Sequence, residues 1–126
     1  MSEAMAVHDL LADPARFDRQ VVAVVGWFVW EREHSALYPS PAAVRSPASG
    51  VWLVHPATVA GERETAAISG GWVRAVGVFG NRRRAGCGHF NGWPAQLSGL
   101  SELRHVEPPS EASPAERGAA PDRGGR

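Results

Sequence analysis

Three consecutive arginines, Arg82-Arg83-Arg84, stand in a polar run between Gly80 and Gly88. A guanidinium is always charged and presents a flat fork of donors that fits phosphate oxygens. Tyr38, Phe90 and Trp93 carry π faces on which bases can stack, and His89 adds a polar ring beside Phe90. These seven residues form the candidate ligand-binding set, and the ligand class their chemistry fits is single-stranded nucleic acid. The competing reading places the arginines on a solvated turn and the aromatics in the core. Leu37, Tyr38, Phe90 and Trp93 would, if packed together, either make an exposed apolar patch for a partner or plug the ends of the fold.

Other spacings carry less. Cys87-x-His89, with His34 and His55 elsewhere, offers one close pair of metal ligands, whereas zinc needs about four converging in tetrahedral geometry. There is no CxxC, so no metal is assigned. Glu31 and Glu33 lie two residues apart, which on a strand is one face. Paired carboxylates with split pKa values can do acid–base work; the alternative is charge guarding a strand edge. No nucleophile elbow, phosphate-cradling glycine loop or metalloprotease helix occurs. The expectation is a non-catalytic protein with no cofactor.

Composition narrows the classes further. In 126 residues there are 13 basic and 13 acidic side chains, so the formal net charge is zero. All the basic ones are Arg. Zero net charge gives weak long-range attraction to a polyanion. Hydrophobic residues make up 44% and charged residues 21%, the balance of a packed domain rather than a disordered chain. The single cysteine, Cys87, excludes an intramolecular disulfide. No apolar run is long enough for a membrane helix, and the acidic start is unlike a secretory signal. These point to a cytoplasmic protein with no membrane partner.

The elements that must position the candidate residues are mostly strands. Residues 20–33 are rich in Val and aromatics, with Val22, Val24, Phe28 and Trp30 on one face and Val21, Val25, Trp27 and Val29 on the other. A strand apolar on both faces, with Gly26 at its centre, predicts a long bent ribbon shared by the two halves of a small closed barrel. Strands are further predicted at 34–38, 50–55, 72–79 and within 89–106, with Leu97, Leu100, Leu103 and Val106 as core candidates. A short helix is expected at 6–12, Asp13-Pro14 should cap a second turn, and Phe17 should plug the core. Another helix is expected within 58–69. The order strand, strand, strand, helix, strand, strand predicts an all-β fold with minor helix: a five-stranded OB-type Greek-key barrel with a short N-terminal helix. A β-sandwich would need more strands than this length allows. Residues 1–107 make this domain. Residues 108–126, rich in Pro, Gly and Ala and lacking Val, Ile, Leu and aromatics, should form a disordered tail.

Particular motifs fit that fold. The run Asp9-Leu10-Leu11-Ala12-Asp13-Pro14-Ala15-Arg16-Phe17-Asp18, followed by the Val-rich strand with Gly26, resembles the opening of OB-fold domains akin to the tRNA-anticodon-binding group. Glu33-His34-Ser35-Ala36-Leu37-Tyr38-Pro39-Ser40 and Gly88-His89-Phe90-Asn91-Gly92-Trp93-Pro94 resemble segments of small stand-alone bacterial OB-fold proteins. The likeness covers residues 9–106. It implies a fold and no activity; Gly is expected where this chain has Asn91. The function expected is a non-catalytic OB-fold binding module for single-stranded nucleic acid. The alternative is a protein-binding module, such as an accessory subunit or a toxin-neutralising, immunity-type protein.

Overall fold

A computed structural model describes residues 4–109. The expected tail falls, beyond Pro109, outside the described residues. The chain runs through β1 (Met5–Ala6), α1 (Val7–Ala12), α2 (Pro14–Phe17), β2 (Val21–Glu31), β3 (His34–Tyr38), β4 (Val51–Leu53), α3 (Ala57–Ala60), α4 (Glu62–Ile68), β5 (Gly71–Asn81) and β6 (Ala95–His105). Strands β2 to β6 are ordered β2-β3-β4-β6-β5, and β5 returns to β2, so the sheet closes into a five-stranded barrel. All barrel pairings are antiparallel except β4 with β6. The helices α3 and α4 sit in the crossover between β4 and β5. This is the OB-type Greek-key topology expected from the order of elements.

The long β2 serves both halves of the barrel. It pairs with β5 from Val21↔Val78 to Phe28↔Gly71, and with β3 from Trp27↔Tyr38 to Glu31↔His34. Two-residue β1 lies parallel beside Val24 and Val25, covering β2 before β3 takes over. Such cover removes unpaired backbone groups that would otherwise template aggregation. On its other edge β2 passes from β1 to β3 at Gly26, while its ladder with β5 runs through Gly26↔Val73 without a register shift, so the bulge expected there is absent. A Cβ there would stand 2.8 Å from Val7 Cγ2 and 3.0 Å from the Tyr38 carbonyl oxygen. The β5–β6 ladder slips between Val76 and Val78, beside the second mid-strand glycine, Gly77.

One face of β2 supplies Val22, Val24 and Phe28 to the core, where they meet Leu37, Val51, Leu53, Val73, Ala75, Phe79, Leu97 and Leu103. Val7 and Leu10 of α1 and Ile68 of α4 complete it. Of the four core candidates in β6 and beyond, Leu97 and Leu103 are buried, while Leu100 and Val106 are half-buried. Phe17 packs half-buried against the core. Pro14 opens α2, but Asp13 makes no side-chain capping bond. It is the Asp18 carboxylate that takes a backbone donor, Asn81 N–H at 2.8 Å. The predicted helix at 58–69 is two helices, interrupted at Gly61 (φ +84°). Among the described residues no helix is long and apolar enough to cross a membrane.

Candidate functional site

Barrel closure is only part of the reason that β2 is apolar on both faces. Its outward-facing Trp27 and Val29 share a second apolar cluster with Ala36 and Tyr38 of β3 and Trp52 of β4. The β5–β6 loop, residues 82–94, folds back over this sheet face and presses Cys87 and Trp93 into the cluster. The loop is tied down at its neck. Arg82 N–H donates to the Pro94 carbonyl at 2.8 Å, and Cys87 and Trp93 exchange backbone hydrogen bonds at 2.9 and 3.0 Å. The Cys87 thiol donates to the Ala95 carbonyl at 3.2 Å. Burial pushes that thiol's pKa up, and the Arg82 charge only partly offsets the effect. Cys87 is therefore a packing group with a satisfied S–H.

Trp93 is the centre of the contact. Its ring lies 4.7 Å from that of Trp52 and meets His34 edge-on at 5.5 Å. Its indole N–H donates to the Tyr38 hydroxyl oxygen at 3.3 Å, and that hydroxyl lies 2.7 Å from His34 Nε2. An indole can only donate, so Tyr38 oxygen accepts from Trp93 and is free to give its own proton to an unprotonated His34 nitrogen. The imidazole environment suits that neutral form: burial lowers the His34 pKa from its usual 6.5, while the Glu31 charge raises it by less. Gly88 makes the packing possible. It has φ +78°, and a Cβ there would sit 2.5 Å from the Trp52 ring and 2.8 Å from that of Trp93.

A pH dependence follows. A folded-state pKa below the unfolded value makes the neutral imidazole the form that folding favours. Its contribution is whole above about pH 6.5 and is lost as pH falls through the lower folded pKa. Thermal melts at pH 7.5 and 5.0 should show a smaller pH-dependent drop in His34→Gln than in the parent. An equal drop in both would assign the acid sensitivity to other groups.

The seven sequence-derived candidates separate into two groups. Tyr38 is fully buried and Trp93 nearly so. Both are held in the cluster beneath the loop, with no open face to offer a base. The apolar grouping of Leu37, Tyr38, Phe90 and Trp93 divides the same way: the first two and Trp93 are interior, and Phe90 is 89% exposed. Arg82, Arg83 and Arg84 are exposed in the turn that opens the loop. Among the described residues none of the three has a carboxylate within ion-pair distance; the pairs formed are Arg74–Glu102, Arg104–Glu102 and His89–Glu33. Arg83 reaches only a backbone carbonyl, that of Leu11 at 3.4 Å.

The loop's second turn, residues 88–92, carries Phe90 and His89 at its tip. Phe90 and Asn91 both have left-handed backbones, at φ +58° and +54°. Asn adopts that region more readily than most residues, so Asn91 suits the position where glycine was expected; Phe90 does so under strain. His89 packs on Phe90 with ring centres 4.1 Å apart and reaches Glu33 at 3.4 Å. Gly86 abuts the Asn91 backbone, so the arginine turn and the Phe90 turn are joined side by side. Cys87 and His89 point to different neighbours, and among the described residues no three His, Cys, Asp or Glu side chains gather as a metal site.

Glu31 and Glu33 do not share a strand face, because Glu33 sits at φ +61° in the turn after β2 ends. Both nonetheless line one cavity of about 340 Å³ with Trp30, His34, Trp52 and His55. Trp30 and Trp52 lie outside the sequence-derived candidate set; for Trp52 the available signal was an indole alternating with buried Val51 and Leu53. The fold defines an OB-type barrel whose outer β2–β3–β4 face is covered by its own last loop. Comparison with protein-family models, curated proteins and solved structures finds no match to this chain.

Proposed function

We propose that the protein is a non-catalytic binding module that contacts single-stranded nucleic acid through the β5–β6 loop, at Arg82, Arg83, Arg84 and Phe90. The observation that carries the reading is three exposed guanidiniums without carboxylate partners among the described residues, on the same short loop as an exposed, strained Phe90. Guanidiniums hold phosphates, and a projecting ring stacks on a base without sequence preference. His89, packed on Phe90, would set the ring's orientation. Tyr38 and Trp93 support the loop rather than touch the ligand.

Fluorescence anisotropy with labelled DNA and RNA oligonucleotides at low salt tests this. With about three phosphates neutralised on a single strand, log K should fall against log salt with a slope of about −2. Changing all three arginines to Ala should abolish that slope. Phe90→Ala should weaken binding by about 1–3 kcal/mol while leaving the slope intact. Absence of binding at about 50 µM protein, near the weak end of useful affinities, or binding indifferent to the triple change, would sink the proposal.

One observation favours a protein partner instead. The sheet face that OB domains offer to oligonucleotides is occupied by the chain's own loop, which leaves Phe90 as an isolated apolar anchor. Salt separates the two readings, since protein contacts release few counterions. Binding that requires Phe90 but is flat across salt concentrations would select the protein-binding module.

A further inference from the structure

Two further arginines, Arg16 of α2 and Arg19 in the turn before β2, are brought beside the arginine loop by the backbone. Phe79 N–H donates to the Gln20 carbonyl at 2.8 Å, and Arg19 N–H to the Phe79 carbonyl at 2.7 Å, so the approach to β2 is laced to the end of β5. One step on, Asn81 N–H donates to the Asp18 carboxylate at 2.8 Å. Arg19 follows Asp18 and Arg82 follows Asn81, so each stands next to that hydrogen-bonded pair. Arg83 donates to the Leu11 carbonyl of α1 at 3.4 Å. Helix α2 packs against β5, and its Arg16 lies over the Phe17 ring, 5.2 Å from the ring centre. Arg16, Arg19, Arg82, Arg83 and Arg84 are all exposed, and together they occupy one end of the barrel.

We propose that the single strand held by the β5–β6 loop continues over this surface, with Arg16 and Arg19 taking further phosphates. The inference rests on the nucleic-acid reading above and extends its footprint. Among the described residues none of the five arginines has a carboxylate within ion-pair distance. The acids of α1, α2 and the turns beside them are Asp9, Asp13 and Asp18, and Asp18 is already engaged by Asn81. Five positive charges against three negative ones leave an excess of two, so the chain's zero net charge conceals an uneven distribution. A local positive field of this kind concentrates a polyanion at the surface. Guanidiniums gathered without partners repel one another, and phosphate oxygens relieve that repulsion through charge-assisted hydrogen bonds. An acidic peptide would also supply charge, but it brings no bases to the exposed Phe90 ring.

The test is fluorescence anisotropy of the full chain with labelled oligothymidylates of about four and about twelve nucleotides, lengths within the range of site sizes that OB folds cover. The short strand reaches the loop alone, and its log K against log salt should have a slope of about −2; the long strand, with about five phosphates neutralised, should reach about −3.5. The double variant Arg16→Gln, Arg19→Asn removes both charges, and Asn tolerates the left-handed backbone at φ +69°. It should return the long strand to a slope of about −2 and leave the short strand unchanged. Arg16→Lys with Arg19→Lys should keep the steep slope, because the charge remains. Equal slopes for the two lengths in unaltered protein, or a long-strand slope untouched in the folded double variant, overturns the inference and leaves the loop reading standing. Failure of both lengths to bind sinks the loop reading with it. Tighter capture of a glutamate peptide matched in charge to the longer strand overturns the inference in favour of an acidic protein partner. The length comparison uses unaltered protein, so it decides the matter even if neither variant folds.

Discussion

Trp93→Ala is expected to destabilise the protein by about 3–5 kcal/mol, the range for removing a buried aromatic, and to release the β5–β6 loop from the sheet. The indole is only 6% exposed and is in contact with Trp52, His34 and Tyr38. Its loss leaves a cavity beneath the loop and takes a donor from the Tyr38 hydroxyl. The barrel core proper, from Phe28 to Leu103, lies on the other side of the sheet and is untouched. Two measurements separate local release from general weakening. Urea denaturation gives the total loss. Alkylation of Cys87 at pH 8 under native conditions reports the loop, because that thiol is buried and its pKa raised. The variant should react much faster than the parent at urea concentrations where both remain folded. A loss under about 1 kcal/mol, with Cys87 still protected, would mean that the backbone ties at the loop's neck hold it without Trp93. Phe90→Ala is the natural control, since an exposed ring at the tip should leave both readouts nearly unchanged.

The second large effect belongs to the close approach at Gly26 of β2. Gly26→Ala is expected to cost about 1–3 kcal/mol by overpacking, and Gly26→Val more. The added carbon would meet Val7 Cγ2 at 2.8 Å, the Tyr38 carbonyl at 3.0 Å and Leu37 Cβ at 3.2 Å. None of these yields easily. Val7 is β-branched and fully buried in α1, and the other two belong to the β3 backbone and its Cβ. The strain should be relieved by backing α1 out of the core, so the N-terminal segment should lose amide-exchange protection before the barrel does. Thermal midpoints would read the total as a fall of several degrees, at about 4–8 °C per kcal/mol for a domain of this size. A Gly26→Ala protein as stable as the parent, with α1 still protected, would show that the contact at Gly26 is slack.

The barrel was legible because it rests on local signals that tertiary context did not override. The Val- and aromatic-rich runs with central glycines in β2 and β5 mark long strands of a closed sheet, and Val51 and Leu53 against Trp52 state which side of β4 is inside. What the sequence did not reveal was which loop lies on which surface. Cys87 and Trp93 sit six residues apart in a stretch that reads as polar turn, and nothing in it announces that they face Trp27, Val29 and Tyr38 across the sheet. The excess of apolar residues on β2 was the trace of that contact. Barrel closure accounts for one greasy face, and the second needs a cover that no periodicity predicts. The exposed half of the candidate set, Arg82–Arg84 and Phe90, came from residue type and loop position. The other half, Tyr38 and Trp93, is buried, and the sequence could not say so, because an aromatic near a strand end has the same signature whether it points out or in.

That cover has a thermodynamic corollary. A segment tethered a few residues away competes for its docking surface at a local concentration that short linkers set near the millimolar range. Any strand of nucleic acid or peptide seeking the β2–β3–β4 surface would have to evict Trp93 first, and its apparent affinity would be reduced in proportion to the small fraction of time the flap stands open. The molecule thus carries its own rival for the surface that its architecture would otherwise leave vacant.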